Sequence, residues 1–273
     1  MIRTACAIGL AGLASTASPA LAQSSLTGSE IFAKAVQTWS ALPTPTYLSY
    51  AVVVTVERHG RAHVDRQRVV FRTVDRVGIS RDASGAVTFG RPRYVPDVAF
   101  RLVPRDARDF DDAQGDAPEP APSASSLPMI GHASVSAKRY AIELAGTERL
   151  HDRDVYHLRL TPLFDPRRNS VREMWVDTQT FTTWQLIDEA RYTAGPARGT
   201  FLLTATYAPV SNAWLLRTVD TSGALRFGFF AYGGHASVTF DDLRLPEKPP
   251  AAFCFDRAGY TQHREQCETS FDH

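Results

Sequence analysis

Apolar and polar residues alternate with a period of two through most of the chain between Tyr140 and Leu245. Tyr156, Leu158 and Leu160 alternate with His157, Arg159 and Thr161. Met174 and Val176 alternate with Glu173, Trp175 and Asp177, and Phe201, Leu203, Ala205 and Tyr207 alternate with Leu202, Thr204 and Thr206. That period sends successive side chains to opposite faces of a sheet. The runs are separated by short turn-forming stretches: Asp177-Thr178-Gln179-Thr180, Ala194-Gly195-Pro196, Val210-Ser211-Asn212 and Tyr232-Gly233-Gly234. Connections this short join antiparallel hairpins and leave no room for crossover helices. The pattern predicts a meandering sheet with one apolar face that needs cover.

Upstream, Thr27-Gly28-Ser29-Glu30 has the form of a capping box, and Ile31, Ala35, Trp39 and Leu42 follow at helical spacing before Pro43. This predicts a helix over 28–41 with one face turned to the sheet. Tyr47 to Val56 and Val64 to Phe71 read as a hairpin around the turn Arg58-His59-Gly60-Arg61. A second hairpin is expected from Val77 to Phe89 around Ala83-Ser84-Gly85. From Gly90 to Ser134 the character changes. Pro92, Pro96 and Pro104 limit any helix near Asp97 to Val103 to a short piece. The acidic, Pro/Ala/Ser-rich stretch at about 104–128 lacks the apolar residues of a packed core and reads as a mobile loop. The strands before it are too few to stand alone, so it is expected to be an insertion over one sheet rather than a domain boundary.

The first 22 residues form a leader: Arg3, an apolar stretch from Ala5 to Ala14, then Ala20-Leu21-Ala22 before Gln23. Ser15, Thr16, Ser18 and Pro19 interrupt the apolar run well short of a membrane span, so the expected outcome is cleavage and export to the periplasm, with secretion beyond it left open. Arg3 is the leader's only charge, so the net charge of +1 becomes zero in the processed chain. Mixed charges without a basic block give no reason to expect a nucleic-acid partner. Cys254 and Cys267 remain after processing, and an exported pair closing a short loop predicts a disulfide in a C-terminal tail of residues 248–273. The two thiols with His263 nearby lack the two-residue cysteine spacing and the fourth ligand of a zinc site. His59 and His63 flank a glycine turn without a carboxylate partner, and no Gly-x-Ser-x-Gly elbow occurs. No metal, cofactor or catalytic group is expected. A hydrolase remains an alternative, because triad members meet only in space.

The order of helix, two hairpins, Pro-rich interruption and long meander resembles the periplasmic lipoprotein-localisation superfamily of carriers, receptors and related envelope-sensor domains. The resemblance is most specific at Asp154-Val155-Tyr156-His157-Leu158-Arg159-Leu160-Thr161-Pro162 and Val171-Arg172-Glu173-Met174-Trp175-Val176-Asp177. There the family has a strand ending in Thr-Pro and then one ending in aspartate before a turn. It implies a strongly curved antiparallel sheet, an incomplete barrel with a helical lid, over residues 23–247. It also implies a non-enzymatic role in binding lipid or the acyl chains of a lipoprotein. A sensor or interaction module contacting an envelope membrane protein is the alternative that the same fold serves.

On this reading the ligand-facing candidates are Val52, Val54, Val56, Tyr156, Leu158, Leu160, Met174, Val176, Phe201 and Leu203, with Phe100, Leu102 and Val103 in the lid. The same residues would serve as an ordinary core, and periodicity does not choose between the two. Arg66 and Arg68 share a strand face. They either point to solvent or stand as cations at the mouth of the cavity.

Overall fold

The computed structural model describes residues 26–58, 60–96, 100–103, 133–194, 197–227, 230–246 and 250–272. The expected leader at 1–22 and the Pro-rich segment at about 104–128 lie outside them.

The chain begins with helix α1, Gly28–Ala41. Its start is fixed locally. The Thr27 hydroxyl accepts from the Glu30 backbone N–H, and the Glu30 carboxylate accepts from the Thr27 N–H at 2.7 Å. This reciprocal pair satisfies two donors that a helix start otherwise leaves open. Extended backbone at Leu42 and then Pro43 ends the helix. Its buried stripe is Ile31, Phe32, Ala35 and Val36.

The strands are β1 Tyr47–Arg58, β2 Arg61–Arg72, β3 Val77–Asp82, β4 Val87–Gly90, β5 Phe100–Val103, β6 Ala133–Ser136, β7 Tyr140–Leu150, β8 Arg153–Pro162, β9 Val171–Asp177, β10 Thr183–Ala194, β11 Ala197–Val210, β12 Ala213–Phe227 and β13 Phe230–Arg244. Eleven of them form one antiparallel sheet in the order β4-β3-β2-β1-β13-β12-β11-β10-β9-β8-β7. The meander closes back on its start, because β13 pairs with β1. β4 and β7 remain as the two edges, so the barrel is not closed. Register shifts at Ser49/Ala51, Leu144/Gly146, Ile187/Asp188 and Thr206/Tyr207 mark bulges. Bulges bend strands and increase twist. One apolar cluster accordingly draws side chains from β1, β2 and β8 to β13 together with α1.

Two local expectations fail. The described part of the piece ending at Val103 is not helical: Phe100–Val103 is strand β5, paired in parallel with β6 in a separate two-stranded ribbon. Tyr232-Gly233-Gly234 is no turn but the interior of β13, opposite Leu225, Ala224 and Gly223. Glycine reads as a breaker in sequence, but in a strand it marks close backbone approach. A Cβ on Gly223 would lie 2.5 Å from the Thr200 carbonyl oxygen.

The C-terminal segment folds as well. A 3₁₀ turn at Ala252–Phe255 leads into α2 Arg257–Gln262 and α3 Arg264–Asp272, joined by a Cys254–Cys267 disulfide. This unit packs Phe255, Tyr260 and Phe271 against Val70 of β2 and Ile79 of β3. Val70 alternates with Val69 and Phe71, which belong to the main cluster, so the helical unit covers the opposite, outer face of the sheet.

Candidate functional site

The inner face of the sheet is apolar from strand to strand. Val52 and Val54 of β1, Leu158 and Leu160 of β8, Met174 and Val176 of β9 and Leu203 of β11 are all buried in the main cluster. Val56, Tyr156 and Phe201 pack at its half-buried fringe. Ten candidates from the sequence thus share one face, as the period of two requires. Phe100, Leu102 and Val103 occupy β5, and their side chains lie outside the described residues.

Arg66 and Arg68 are not on this face. In the β1–β2 register Arg66 is opposite Val53 and Arg68 opposite Ala51, whereas Val52 and Val54 are opposite Gln67 and Asp65. Directly opposed residues share a face, so both arginines point outward and neither stands at the mouth of the apolar side. Arg68 donates to the Phe271 carbonyl oxygen at 3.0 Å and pairs with Asp242, which ties β2 and β13 to α3. Arg66 and Arg68, with Arg81, Asp82 and Asp242, line a surface groove of about 280 Å³ beside that contact. The groove carries both signs of charge.

The cover of the inner face is built from pieces that are not woven into the main sheet. α1 crosses with Ile31 and Phe32, which are 0% and 1% exposed, and Trp39 packs edge-on against Tyr207 at 5.7 Å. At its C-terminal end Thr38 donates to the Thr180 carbonyl oxygen at 3.2 Å, and Lys34 sits 4.9 Å from the Phe181 ring centroid. At its N-terminal end Gly28 lies directly on the backbone of β7, where a Cβ would be 2.7 Å from Glu143 C and Leu144 N. The segment after β4 also crosses: Tyr50 donates to the Tyr94 carbonyl oxygen at 2.8 Å, and the Pro96 carbonyl accepts from the Leu216 N–H at 3.0 Å. Tyr94, Val95 and, from β6, Val135 pack into the cluster.

A buried charged residue interrupts the apolar side. Asp188 is opposite Leu203 on β11 and Val171 on β9, and it alternates with Leu186, all members of the main cluster, and with Ala190, which packs against it. It is 9% exposed, and its Oδ1 has no hydrogen-bond partner among the described residues. Burial is the main cause that raises its pKa; the Ser170 hydroxyl and Arg172 oppose the shift, and Glu189 adds to it. Tyr140, buried nearby, has its phenol pushed up to about 12, first by burial and in part by Asp188. A carboxylate within an apolar face carries a signal in sequence, because the period of two places 186, 188 and 190 together. The adjacent Asp188-Glu189 pair conceals it by suggesting a solvated stretch.

Because the folded protein holds the Asp188 proton more tightly than the unfolded chain does, this group stabilises the fold fully only below the usual carboxylate range. Its contribution is lost as pH rises through the raised pKa. Asp188→Asn should therefore gain melting temperature over wild type as pH goes from 4 to 7. Melting curves of both proteins across that range test the sign, and a constant difference would refute it.

The outer face carries a different polar group. His157 Nδ1 is 2.6 Å from Glu148 and Nε2 is 3.0 Å from Glu173, and the imidazole stacks on Trp175 at 4.5 Å. These contacts fasten edge strand β7 to β8 and β9. Among the described residues no cluster of histidine, cysteine, aspartate and glutamate is arranged to hold a metal ion, and no helix is long and apolar enough to cross a membrane.

No protein-family model matches the sequence, and no curated protein matches it significantly. Solved structures do. The chain is similar to a LolA superfamily protein from Nitrosomonas europaea at 13% identity and a TM-score of 0.36, over 86% of this chain and 99% of that one. It is similar to a domain from Vibrio parahaemolyticus assigned to outer membrane lipoprotein sorting, at 12% identity and a TM-score of 0.40, over 82% and 95% of the two chains. A third likeness is to MucB in its complex with MucA from Pseudomonas aeruginosa, at 11% identity and a TM-score of 0.22, over 81% and 99%.

Proposed function

We propose that this chain is an exported binding protein for a hydrophobic ligand, the acyl chain of a lipid or of an acylated protein, held against the inner face of the sheet without chemistry. The supporting observation is how that face is closed. An eleven-stranded sheet presents a continuous apolar side, and the cover consists of α1, the β5–β6 ribbon and a crossing segment. Side-chain packing and single hydrogen bonds hold these pieces, whereas a core strand is held by a ladder along its length. In this form the described side chains of the inner face and of its cover are buried against one another. An acyl chain therefore binds only as the cover yields, and the opening equilibrium reduces the apparent affinity. Each methylene buried contributes about 0.8 kcal/mol, so part of a chain suffices to offset a modest opening cost.

Gly28 separates opening from binding. Alanine is a better helix former than glycine by roughly 0.5–1 kcal/mol, so Gly28→Ala should strengthen α1 as a helix. The added Cβ meets β7 backbone, which cannot move aside as a side chain can, so the helix is driven off its seat. The expected result is a lower melting temperature together with an affinity for a fluorescent dodecanoyl probe raised by roughly tenfold. Folded wild-type and variant proteins that both ignore the probe would overturn the carrier reading and favour a protein-partner role. Organic extraction and mass spectrometry of the periplasmic protein would identify the native ligand, and its intact mass would test cleavage after Ala22.

A further inference from the structure

We propose that Asp188 is the polar anchor of the ligand site, accepting a hydrogen bond from a hydroxyl or amide N–H at the head of the bound acyl chain. The proposal rests on the acyl-binding reading above. Four observations converge on it. Asp188 lies on the inner face, flanked along its strand by Leu186 and Ala190 and across it by Leu203 and Val171. Its Oδ1 is buried without a donor among the described residues. A second orphan acceptor, Asn169 Oδ1, sits in the segment that leads into β9, two residues before Val171, the register partner of Asp188. One inward position further along the strand, Ala190 and its opposite residue Phe201 are only half-buried, so the carboxyl stands where the packed core passes into its fringe.

A purely structural residue would not be left in this state. Asparagine or leucine at this position would remove the buried charge, and an unsatisfied buried acceptor destabilises the fold that contains it. Groups that lower stability and are nevertheless present at an apolar site are the ones a function retains. The carboxylate oxygen without a donor specifies the missing partner: it brings a hydrogen, not a lone pair. An ester carbonyl or a free carboxylate fits poorly. A glyceryl hydroxyl or an amide N–H joined to an acyl chain supplies the donor, and the surrounding valine and leucine side chains hold the tail.

The test compares two probes of equal chain length, 1-monolauroylglycerol with hydroxyl donors and methyl laurate without them, by calorimetry against wild type, Asp188→Asn and Asp188→Leu. Wild type should prefer monolauroylglycerol by roughly tenfold, the discrimination that one buried hydrogen bond provides. Asp188→Leu should melt higher than wild type, bind methyl laurate at least as well, and lose the preference. Asp188→Asn keeps an acceptor oxygen and should retain part of it. Equal affinity of wild type for both probes, or a preference unchanged in Asp188→Leu, overturns the anchor while leaving acyl binding intact. Failure of wild type to bind either probe overturns both. A drop in melting temperature for both variants would assign Asp188 a structural role and also refute the proposal.

Discussion

Leu160→Glu should abolish folding of the sheet, while Arg159→Gln, one residue away, should leave melting almost unchanged. Leu160 is 1% exposed in the main cluster, opposite Ile142 of β7. A carboxylate there is set among apolar side chains, and removing it from water costs several kcal/mol even after it takes up a proton. The loss of leucine packing adds about 2–5 kcal/mol. Together these approach the whole stability of an ordinary domain. Arg159 is exposed on the outer face between Glu143 of β7 and Glu173 of β9. Its removal forfeits only the attraction of an exposed cation for two neighbouring glutamates, worth a fraction of 1 kcal/mol each. Glutamine is the useful control, since glutamate there would set three carboxylates side by side. Far-UV circular dichroism and thermal melting read both outcomes. A folded Leu160→Glu protein would mean that the inner face is already wet, and binding experiments would then be possible on it directly. A large loss in Arg159→Gln would show that the strand faces have been assigned in the wrong phase.

The contrast between these neighbours was legible because both facts behind it are local. Alternation fixes which residues share a face, and Val52, Leu158, Met174 and Leu203 could be grouped without knowing which strands are adjacent. The start of α1 was likewise legible, since the Thr27/Glu30 box and Pro43 act within a few residues of themselves. What failed depended on partners distant in sequence. Phe100–Val103 becomes a strand by pairing with Ala133–Ser136, some thirty residues later and in parallel, and no nearby residue signals that partner. Gly233 and Gly234 look like a turn until they lie opposite Ala224 and Gly223. Arg66 and Arg68 sit on a strand whose exposed half is mixed on both faces, so alternation grouped them without saying which way they point. The side became clear only with α3, 203 residues from Arg68 to its Phe271 contact. Asp188 follows the same logic in reverse. Its phase was readable, but its burial depends on β9, β11 and the register shift at Ile187/Asp188 where β10 pairs with β9.

Replacing Cys254 and Cys267 with alanine should release the C-terminal helical unit while leaving the eleven-stranded sheet folded. The bridge spans a sequence separation of 13 with Cα atoms 5.5 Å apart, and both cysteines are buried at 1% and 0% exposure. Closing a loop of this size contributes roughly 3 kcal/mol in the chain-entropy model. That contribution acts on a unit of about twenty residues, too few to maintain a core alone. Its remaining attachments are Phe255, Tyr260 and Phe271 on Val70 and Ile79, the Phe89–Tyr260 ring pair at 5.3 Å, Arg81 over the Phe271 ring at 4.8 Å, and the Arg68 bond to the Phe271 carbonyl. The inner-face cluster shares none of its residues with this patch, so the sheet's main core is untouched. Hydrogen exchange read by mass spectrometry should rise in peptides covering 252–272 and in β3–β4, with little change in β8 to β12. Undocking also uncovers Val70 and Ile79, an apolar patch on the outer face that will take up a hydrophobic dye. Dye binding gained in this variant must therefore survive unchanged when Asp188→Leu is added, because the two faces are separated by the sheet. If exchange instead rises uniformly through β8 to β12, the disulfide supports the whole fold, and the helical unit is part of its core rather than a clasp on its outer side.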